Sequence, residues 1–386
     1  MTTSPTPVEL AFALMREGRI GDAENLMTRE LQAATDRSGP GSPEWASAQC
    51  DLGTVLLNAD QLPRAIECYR YAVSAPPRDT ESRKDQLTYR LNLGSALRLA
   101  GRLDEAEAEL RRGVEERLEF YGRAHPGYAF GLEPLAALLR QRGDVPGARQ
   151  VIEEAVANLW DSGHERVASA LALRAVIVHA GGTGEPLFVG WHQLPDDVVE
   201  EIGRSVTQLL DDDDPAAQPL LTSLVAALEE RLGVDHQATL NALAALANLG
   251  RVLGDPSGRV EAIERVLASY DRQGRQEEAV MAALGLAMAQ DEAGDAEAAL
   301  HTYASTSARA ERIGRPELTS QVLRNWGLAL KDGGHAGPAE HRLSEAVSQA
   351  RRGADHDMVG RACVALGLSS STTVGWRRPA RSWRRA

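Results

Sequence analysis

The chain has 386 residues, of which 43% are hydrophobic and only 4% aromatic, so any core must be built from alanine, leucine and valine. The formal net charge is -13, and the last eleven residues, WRRPARSWRRA, contain five arginines and no acid, which leaves -18 on residues 1–375. Such an acidic body repels phosphate backbones, so nucleic-acid binding is expected of the tail at most.

The N-terminal residues MTTSPTPVEL lack the basic start and apolar stretch of a secretory signal, and no run of about 18 uncharged apolar residues occurs. The three cysteines, Cys50, Cys68 and Cys363, show no metal-type spacing, and an odd number fits a reducing compartment. We therefore expect a cytoplasmic protein without a transmembrane segment, in which all three cysteines are small core residues.

Four columns of residues recur along the chain in steps of 40 to 42. The first is a small residue after a large one, at Ala11, Gly53, Gly94, Ala136, Ala247, Ala287, Gly327 and Gly367. A turn residue follows seven positions later, at Gly18, Asp60, Gly101, Gly143, Gly254, Gly294 and Gly334. Five further on comes a second small residue, at Ala23, Ala65, Ala106, Ala148, Ala299 and Ala339, with Arg259 as the exception. Four beyond that stands a large residue, at Met27, Tyr69, Leu110, Ile152, Ile263, Tyr303 and Leu343.

This spacing predicts pairs of antiparallel helices, A and B, whose small residues let the two backbones approach while the large ones fill the space between them. The turn residues fit the left-handed conformation that ends a helix. One pair of helices cannot bury its own apolar face, and this face is buried only when the next pair stacks on it. The expected fold is therefore all-α: an α-solenoid, a right-handed superhelix of antiparallel helix pairs with helix A on the inner wall.

The columns resemble the tetratricopeptide repeat (TPR), whose pattern is Leu-Gly, Gly, Ala and then a large apolar residue. Steps of 40 to 42 exceed that family's basic length of about 34 and resemble the extended subtype of kinesin light chains and bacterial scaffold proteins. The links EERLEFYGRAHPGYA at 115–129 and EERLGVDHQATL at 229–240 are similar to that subtype's glutamate-rich helix end and Gly-x-x-His turn. His125 and His236 are accordingly interpreted as structural residues.

Between Gly181 and Asp235 the columns lapse, although helical periodicity persists at 165–180, 196–210 and 216–232. Residues 181–195 are predicted to be an inserted loop, in which Phe188 and Trp191 are either a plug over a repeat face or an exposed contact. Asp211 to Asp214 precede Pro215 and suit the first turn of a helix. The predicted organisation is an N-terminal TPR array over 1–181, a degenerate repeat region with the loop over 182–235, a C-terminal TPR array over 236–369 and a basic disordered tail over 370–386.

The C-terminus departs from the pattern, because residues 358–368 supply a helix A that no helix B follows. Three explanations of the arginine-rich tail are open: a basic segment that docks on acid or membrane, a tail that folds back on the acidic body, and an altered reading frame after a lost repeat. The apolar C-terminal helix also makes self-association an expectation.

No motif for catalysis, phosphate binding or metal binding is present: the sequence lacks HExxH, GxSxG and GxxxxGK[ST], and the histidines are scattered. Paired carboxylates fall on helical surfaces, where solvated charge is the default. We expect no enzyme activity, no cofactor and no metal.

The expected functional surface is the inner wall, at helix A positions two before, one after, and four or five after each small residue. The predicted groove residues at these positions are Asp51, Asn58, Asn92, Ser95, Arg98, Arg140, Gln141, Asn248, Arg251, Asp291, Asn325 and Lys331. Arg324, three before its small residue, borders the same face and is added to them. Asn92 with Arg98 and Arg140, and Asn325 with Arg324 and Lys331, loosely resemble the clamp by which some members of the family hold a peptide's C-terminal carboxylate. The function implied is a scaffold that binds a peptide or helix of a partner protein. The alternative is a sensor arm of an ATPase-linked or DNA-binding transcriptional regulator.

Overall fold

The computed structural model describes residues 6–182, 184–185, 187–188, 190–210, 217–353 and 356–370. Asp211 to Asp214 and the tail beyond residue 370 lie outside them. The described helices are α1 Pro7–Arg16, α2 Ile20–Ser38, α3 Pro43–Asn58, α4 Leu62–Ser74, α5 Thr80–Leu99, α6 Leu103–Tyr121, α7 Pro126–Gln141, α8 Val145–Asp161, α9 Val167–Ala180, α10 Asp196–Leu209, α11 Ala217–Leu232, α12 Gln237–Leu253, α13 Pro256–Arg272, α14 Gln276–Glu292, α15 Ala296–Ile313, α16 Pro316–Asp332, α17 Ala336–Arg352 and α18 His356–Ser370. Apart from a 3-10 turn at Trp191–Gln193, no other regular element occurs among the described residues, so the all-α prediction is confirmed.

The chain forms two compact units, unit 1 over Met1–Val189 and unit 2 over Gly190–Ala386. In unit 1 the A and B helices alternate from α1 to α8, and in unit 2 they alternate from α12 to α17, with α18 as a further helix A. Within each of these two series every helix packs on the next one, and successive A helices also touch: α3 with α5, α5 with α7, α14 with α16, and α16 with α18. Stacked helical hairpins are thus present in each unit, as predicted; the division into arrays at 181 and 235 stays a prediction.

Each predicted turn residue adopts a left-handed backbone conformation, with φ between 59° at Asp60 and 84° at Gly294. Asp60 is the single non-glycine residue with positive φ in the described part of the chain. After each turn residue, the next backbone N–H donates to the carbonyl five residues earlier, for example Arg19 N to Leu14 O at 2.9 Å and His335 N to Leu330 O at 2.8 Å. This hydrogen bond closes helix A in a Schellman motif and directs the chain into helix B.

The small residues of helix A lie directly against the large residues of helix B. A Cβ atom added to Gly94 would lie 2.6 Å from Leu110 Cδ2, and one added to Gly327 would lie 2.6 Å from Leu343 Cγ. Leu110 and Leu343 are completely buried. The predicted packing of a small residue of helix A against a large residue of helix B therefore holds each hairpin together.

Arg259, the exception in the column of small residues, is explained by its neighbour Gly250. The other repeats that have both helices carry Leu or Gln at the position of Gly250. A Cβ atom on Gly250 would lie 3.3 Å from Arg259 Cβ, so the glycine makes room for the longer side chain. Arg259 is buried and its guanidinium pairs with Glu292. Gly250 and Arg259 together keep this hairpin closed, with the small residue on helix A instead of helix B.

His125 and His236 both begin a helix A. Nδ1 of His125 accepts a hydrogen bond from Gly127 N–H at 2.9 Å, and Nδ1 of His236 accepts one from Ala238 N–H at 3.2 Å. Each side chain satisfies an amide that the first helical turn leaves without a partner. Their structural role is confirmed.

The predicted periodic segments between the arrays are confirmed as α9, α10 and α11. Trp191, in the inserted loop, is only 5% exposed, and its carbonyl accepts a hydrogen bond from Arg231 Nε at 3.4 Å. Its burial agrees with a plug and excludes an exposed contact for this residue.

One cysteine prediction was wrong. Cys50 and Cys68 are buried, but Cys363 is exposed. Its counterpart in the preceding helix A is Leu323, which packs against Ala346 and Val347 of α17. No helix of the described chain follows α18, so no described helix packs over the face that carries Cys363.

Candidate functional site

The candidate site is the face of the A helices that points away from the B helices, which we call the inner face of each unit. In both units the small residues of the helices that carry predicted residues are buried, whereas the predicted residues are partly or fully accessible. In unit 1 the accessible predicted residues are Asp51, Asn58, Asn92, Ser95, Arg98, Arg140 and Gln141. In unit 2 they are Asn248, Arg251, Asp291, Arg324, Asn325 and Lys331. The helical register of the columns therefore places all predicted residues on one side of their helices.

In unit 1, one hydrogen bond joins two predicted residues on neighbouring A helices, and another links a predicted residue to a buried cysteine. Arg98 Nη1 on α5 donates to Gln141 Oε1 on α7 at 3.1 Å. Asn92 Nδ2 donates to Cys50 Sγ on α3 at 3.4 Å. By contrast, Asn58 Nδ2 donates to a carbonyl of its own helix. The face is a connected polar surface across α3, α5 and α7.

The cation at Arg140 differs from the arginines of the outer helices. Many arginines of the B helices pair with carboxylates, as Arg70 does with Glu105 at 2.7 Å and Arg111 with Glu107 at 2.8 Å. Arg140 forms no ion pair within the described residues, and its buried Nε has no hydrogen-bond acceptor there. A partly buried guanidinium without an acceptor is suited to a carboxylate from another molecule.

A cleft of about 560 Å³ opens near the first turns of α1, α3 and α5. Its floor is apolar and includes Met27 and Ala48, and its wall carries Asp51 and Asp85. Burial raises the pKa of the Asp51 carboxyl, and the charge of Asp85 raises it further. The pKa of Asp85 is also raised, by burial and by the nearby acids Glu81 and Asp79. This end of the inner face of unit 1 is therefore acidic.

A second cleft, of about 570 Å³, extends the inner face of unit 1 to α1. It is lined by Glu9, Phe12, Met15, Arg16 and Asn58. The sequence analysis named Asn58 alone among them, because it began its count at the second repeat. Applied to Ala11, the same count finds the other four residues.

In unit 2, Arg251 Nη2 donates to Asn248 Oδ1 at 2.8 Å on the same helix, and Asn325 Nδ2 donates to Gln321 O at 2.9 Å. Burial raises the pKa of Asp291, as do the charges of Asp332 and Glu292. The proximity of Asp291 on α14 to Asp332 on α16 agrees with side-by-side A helices.

The pKa of Arg324 is lowered by burial and by the nearby charge of Arg361 on α18. Its buried Nε has no acceptor in the part of the chain that the structure describes. Arg324 and Lys331 take part in no ion pair among those residues. The two cations of the predicted clamp on α16, Arg324 and Lys331, therefore have no carboxylate partner among the described residues.

The inner face of unit 2 is also more apolar than the sequence analysis expected. Among its large hydrophobic side chains, Val252 is 41% exposed, Met281 43%, Met288 37% and Val364 64%. Met281 and Met288 are seven residues apart, which puts them on the same side of α14. Sequence reasoning missed Val252, although it stands at a counted position, five after Ala247. It also missed Met281 and Val364, which lie outside the counted positions.

The described residues include no cluster of three or more histidine, cysteine or acidic side chains that could hold a metal ion. Among the same residues, no helix combines the length and the apolar character needed to cross a bilayer.

Residues 86–127 match the sequence profile of the tetratricopeptide repeat family, which confirms the resemblance found in the columns. No curated protein matches the chain in sequence. Similar solved structures include a kinesin light chain from Podosopora anserina with nearly identical TPR-like repeats, which is 20% identical over 60% of this chain and 98% of its own, with a TM-score of 0.40. A Rap protein in complex with competence and sporulation factor is 12% identical over 95% of this chain and 97% of its own, with a TM-score of 0.34. The TPR2AB domain of yeast Sti1 in complex with pHSP90 is 12% identical over 85% of this chain and 100% of its own, with a TM-score of 0.29.

Proposed function

We propose that this protein is a non-catalytic scaffold that binds a peptide or helical segment of a partner protein on the inner faces of its repeats. The observation that carries the proposal is the set of inner-face cations without carboxylate partners in an otherwise acidic chain. Arg140, Arg251, Arg324 and Lys331 form no ion pair in the described structure, whereas arginines of the B helices commonly do, as Arg70 and Arg111 show.

The physical reason is the cost of a partly desolvated charge. A guanidinium that has lost water and gained no acceptor is destabilising, and a carboxylate supplied by a ligand removes that penalty. Around the cations, amides such as Asn92 and Gln141 offer donors and acceptors to a peptide backbone. In unit 1, Arg98 and Arg140 on neighbouring helices are the proposed carboxylate contacts.

The test is charge reversal of these two arginines. The full chain and its Arg98→Glu/Arg140→Glu variant are used to capture partners from lysate of the source cells, and bound proteins are quantified by mass spectrometry. We expect a partner enriched by the unmodified chain to fall at least about tenfold on the variant, since one buried charge contact is worth 2–5 kcal/mol.

The matched control is Arg70→Glu/Arg111→Glu, which makes the same change of charge on outer helices. It should capture the partner as the unmodified chain does. Equal capture by the Arg98→Glu/Arg140→Glu variant, or an equal loss with both variants, contradicts a role for these two residues.

A cytoplasmic location belongs to the same proposal, and the free thiols of Cys50, Cys68 and Cys363 support it, because such thiols persist in reducing compartments. Self-association through α18 stays a prediction, with the exposure of Val364 and Cys363 as its support.

A further inference from the structure

The inner face of unit 2 carries an apolar surface that the carboxylate contacts do not use. We call it the methionine face and define it as Val252, Met281, Met288 and Leu328. The first three are large hydrophobic side chains between 37% and 43% exposed, and Leu328 is partly exposed. Exposed apolar side chains that collect on one surface of a protein mark an interaction site more often than chance.

The repeat register brings these residues together. Met288 on α14 and Leu328 on α16 both stand one position after the small residue of their helix, and α14 touches α16 directly. Val252 on α12 stands five positions after its small residue, on the same side.

Charges at the rim of the methionine face define the partner's chemistry. Four of the charged residues that line a cleft with Met281 are already ion-paired, namely Arg275, Glu277, Glu278 and Arg309. Arg251, Arg324 and Lys331 stand beside the other residues of the face in the repeat register and form no ion pair among the residues that the structure describes. The buried Nε of Arg324 also has no acceptor there. The acid Asp291 lies at the same rim and its pKa is raised by burial and by Asp332, so the local surroundings already disfavour a further negative charge there. Carboxylates of a ligand are thus directed to the three cations rather than to the whole rim.

The spacing of the methionines points to a helix as the ligand. Met281 and Met288 are separated by two helical turns, which is about 10 Å along α14. An amphipathic helix laid along α14 presents apolar side chains with the same period, at i, i+3 or i+4, and i+7. Thioether side chains are flexible and polarizable, so they can adapt to the shape of such a ridge.

We infer that the methionine face binds an amphipathic helix whose apolar side contacts Met281, Met288 and Leu328 and whose acidic residues pair with Arg251, Arg324 or Lys331. This inference rests on the proposed function and adds the form and chemistry of the segment bound by unit 2.

The experiment is a selection from a display library of random 16-residue peptides on the purified full chain. We expect the enriched peptides to carry large apolar residues at i, i+3 or i+4, and i+7, together with an excess of aspartate and glutamate. Their affinity, measured by fluorescence anisotropy, should fall at least about tenfold on Met281→Glu/Met288→Glu. A double mutant with Arg324→Glu and Lys331→Glu should weaken acidic peptides and spare their neutral glutamine analogues.

The matched control is Val234→Glu, which changes an exposed hydrophobic residue of unit 2 outside the methionine face. It should leave the affinity unchanged. The inference is overturned if no peptide is enriched over uncoated beads, if the enriched peptides lack helical spacing, or if Met281→Glu/Met288→Glu binds them within twofold of the unmodified chain. Peptides lost only on Arg98→Glu/Arg140→Glu support the proposed function while they overturn the methionine face.

Discussion

The two units use the same hairpin but present different inner faces. In unit 1 that face is mostly polar from α3 to α7, where Asn92 is hydrogen-bonded to Cys50 and Arg98 to Gln141 on neighbouring A helices, and α1 adds the apolar Phe12 and Met15. In unit 2 it is partly apolar, with exposed Met281 and Met288. The difference teaches that the core columns of a repeat constrain only the sides of helix A that meet its neighbours. The remaining side is free to vary in chemistry from one repeat to the next.

The strongest test of the shared hairpin is truncation of the large residue that faces a glycine in each unit. Leu110→Ala in unit 1 and Leu343→Ala in unit 2 should each lower the free energy of unfolding by about 2–5 kcal/mol, because both side chains are completely buried. Hydrogen exchange should show the loss of protection in the helices beside each site. Leu99→Ala, at a 52% exposed position, is the control and should change little. A large effect in one unit only would break the comparison.

A smaller effect is expected from adding a methyl group to the glycines of helix A. Gly94→Ala and Gly327→Ala should destabilise by about 1–3 kcal/mol, because the added Cβ would lie 2.6 Å from leucine atoms. Gly285→Ala should be neutral or stabilising by up to about 1 kcal/mol, since it gains helix propensity and meets nothing within 3.8 Å. Chemical denaturation measures all three. Equal destabilisation at Gly285 would contradict the 3.9 Å distance between its added Cβ and Ile263 Cδ1 on α13.

The pH dependence of stability sharpens the comparison of charges. The pKa of Asp51 in unit 1 is raised in the folded chain, so its ionised form destabilises the fold. This destabilisation is relieved as pH falls through the raised pKa and the carboxyl becomes protonated. Asp51→Asn should therefore raise Tm by about 1 to 2 °C at pH 7 and by less near pH 4.

The pKa of Asp255 in unit 2 is shifted in the opposite direction. Hydrogen bonds from the Gly258 N–H and from Gln218 hold its pKa below the usual range, so it stabilises the fold above that range and loses this effect as pH falls through the lowered pKa. Asp255→Asn should lower Tm at pH 7 and have less effect near pH 3, as measured by thermal scans in matched buffers. The same direction for both variants would contradict the assigned environments.

The smallest effect concerns the methionine face itself. Met281→Gln/Met288→Gln should change the free energy of unfolding by less than about 0.5 kcal/mol, because both side chains are exposed and contribute little to the core. Calorimetry measures this change. A loss above about 1 kcal/mol would mean that the methionines serve folding, and that a binding defect of their variants has a structural origin.

The sequence by itself determined the hairpin. The left-handed turns at Gly18 and Gly294, the contact of Gly94 with Leu110 and the capping role of His125 all follow from local spacing, because glycine, alanine and leucine at helical intervals leave few ways to bury their apolar sides. The periodic segments of the lapsed region became helices for the same reason.

Only the tertiary structure decided what depends on neighbouring helices. It showed that Gly250 makes room for Arg259, that Cys363 is exposed, that Trp191 is buried, and that Arg140 and Arg324 lack acceptors among the described residues. Periodicity assigns a residue to a side of its own helix. Exposure, ion pairing and pKa depend on the atoms that other helices bring to that side, and these are set by packing.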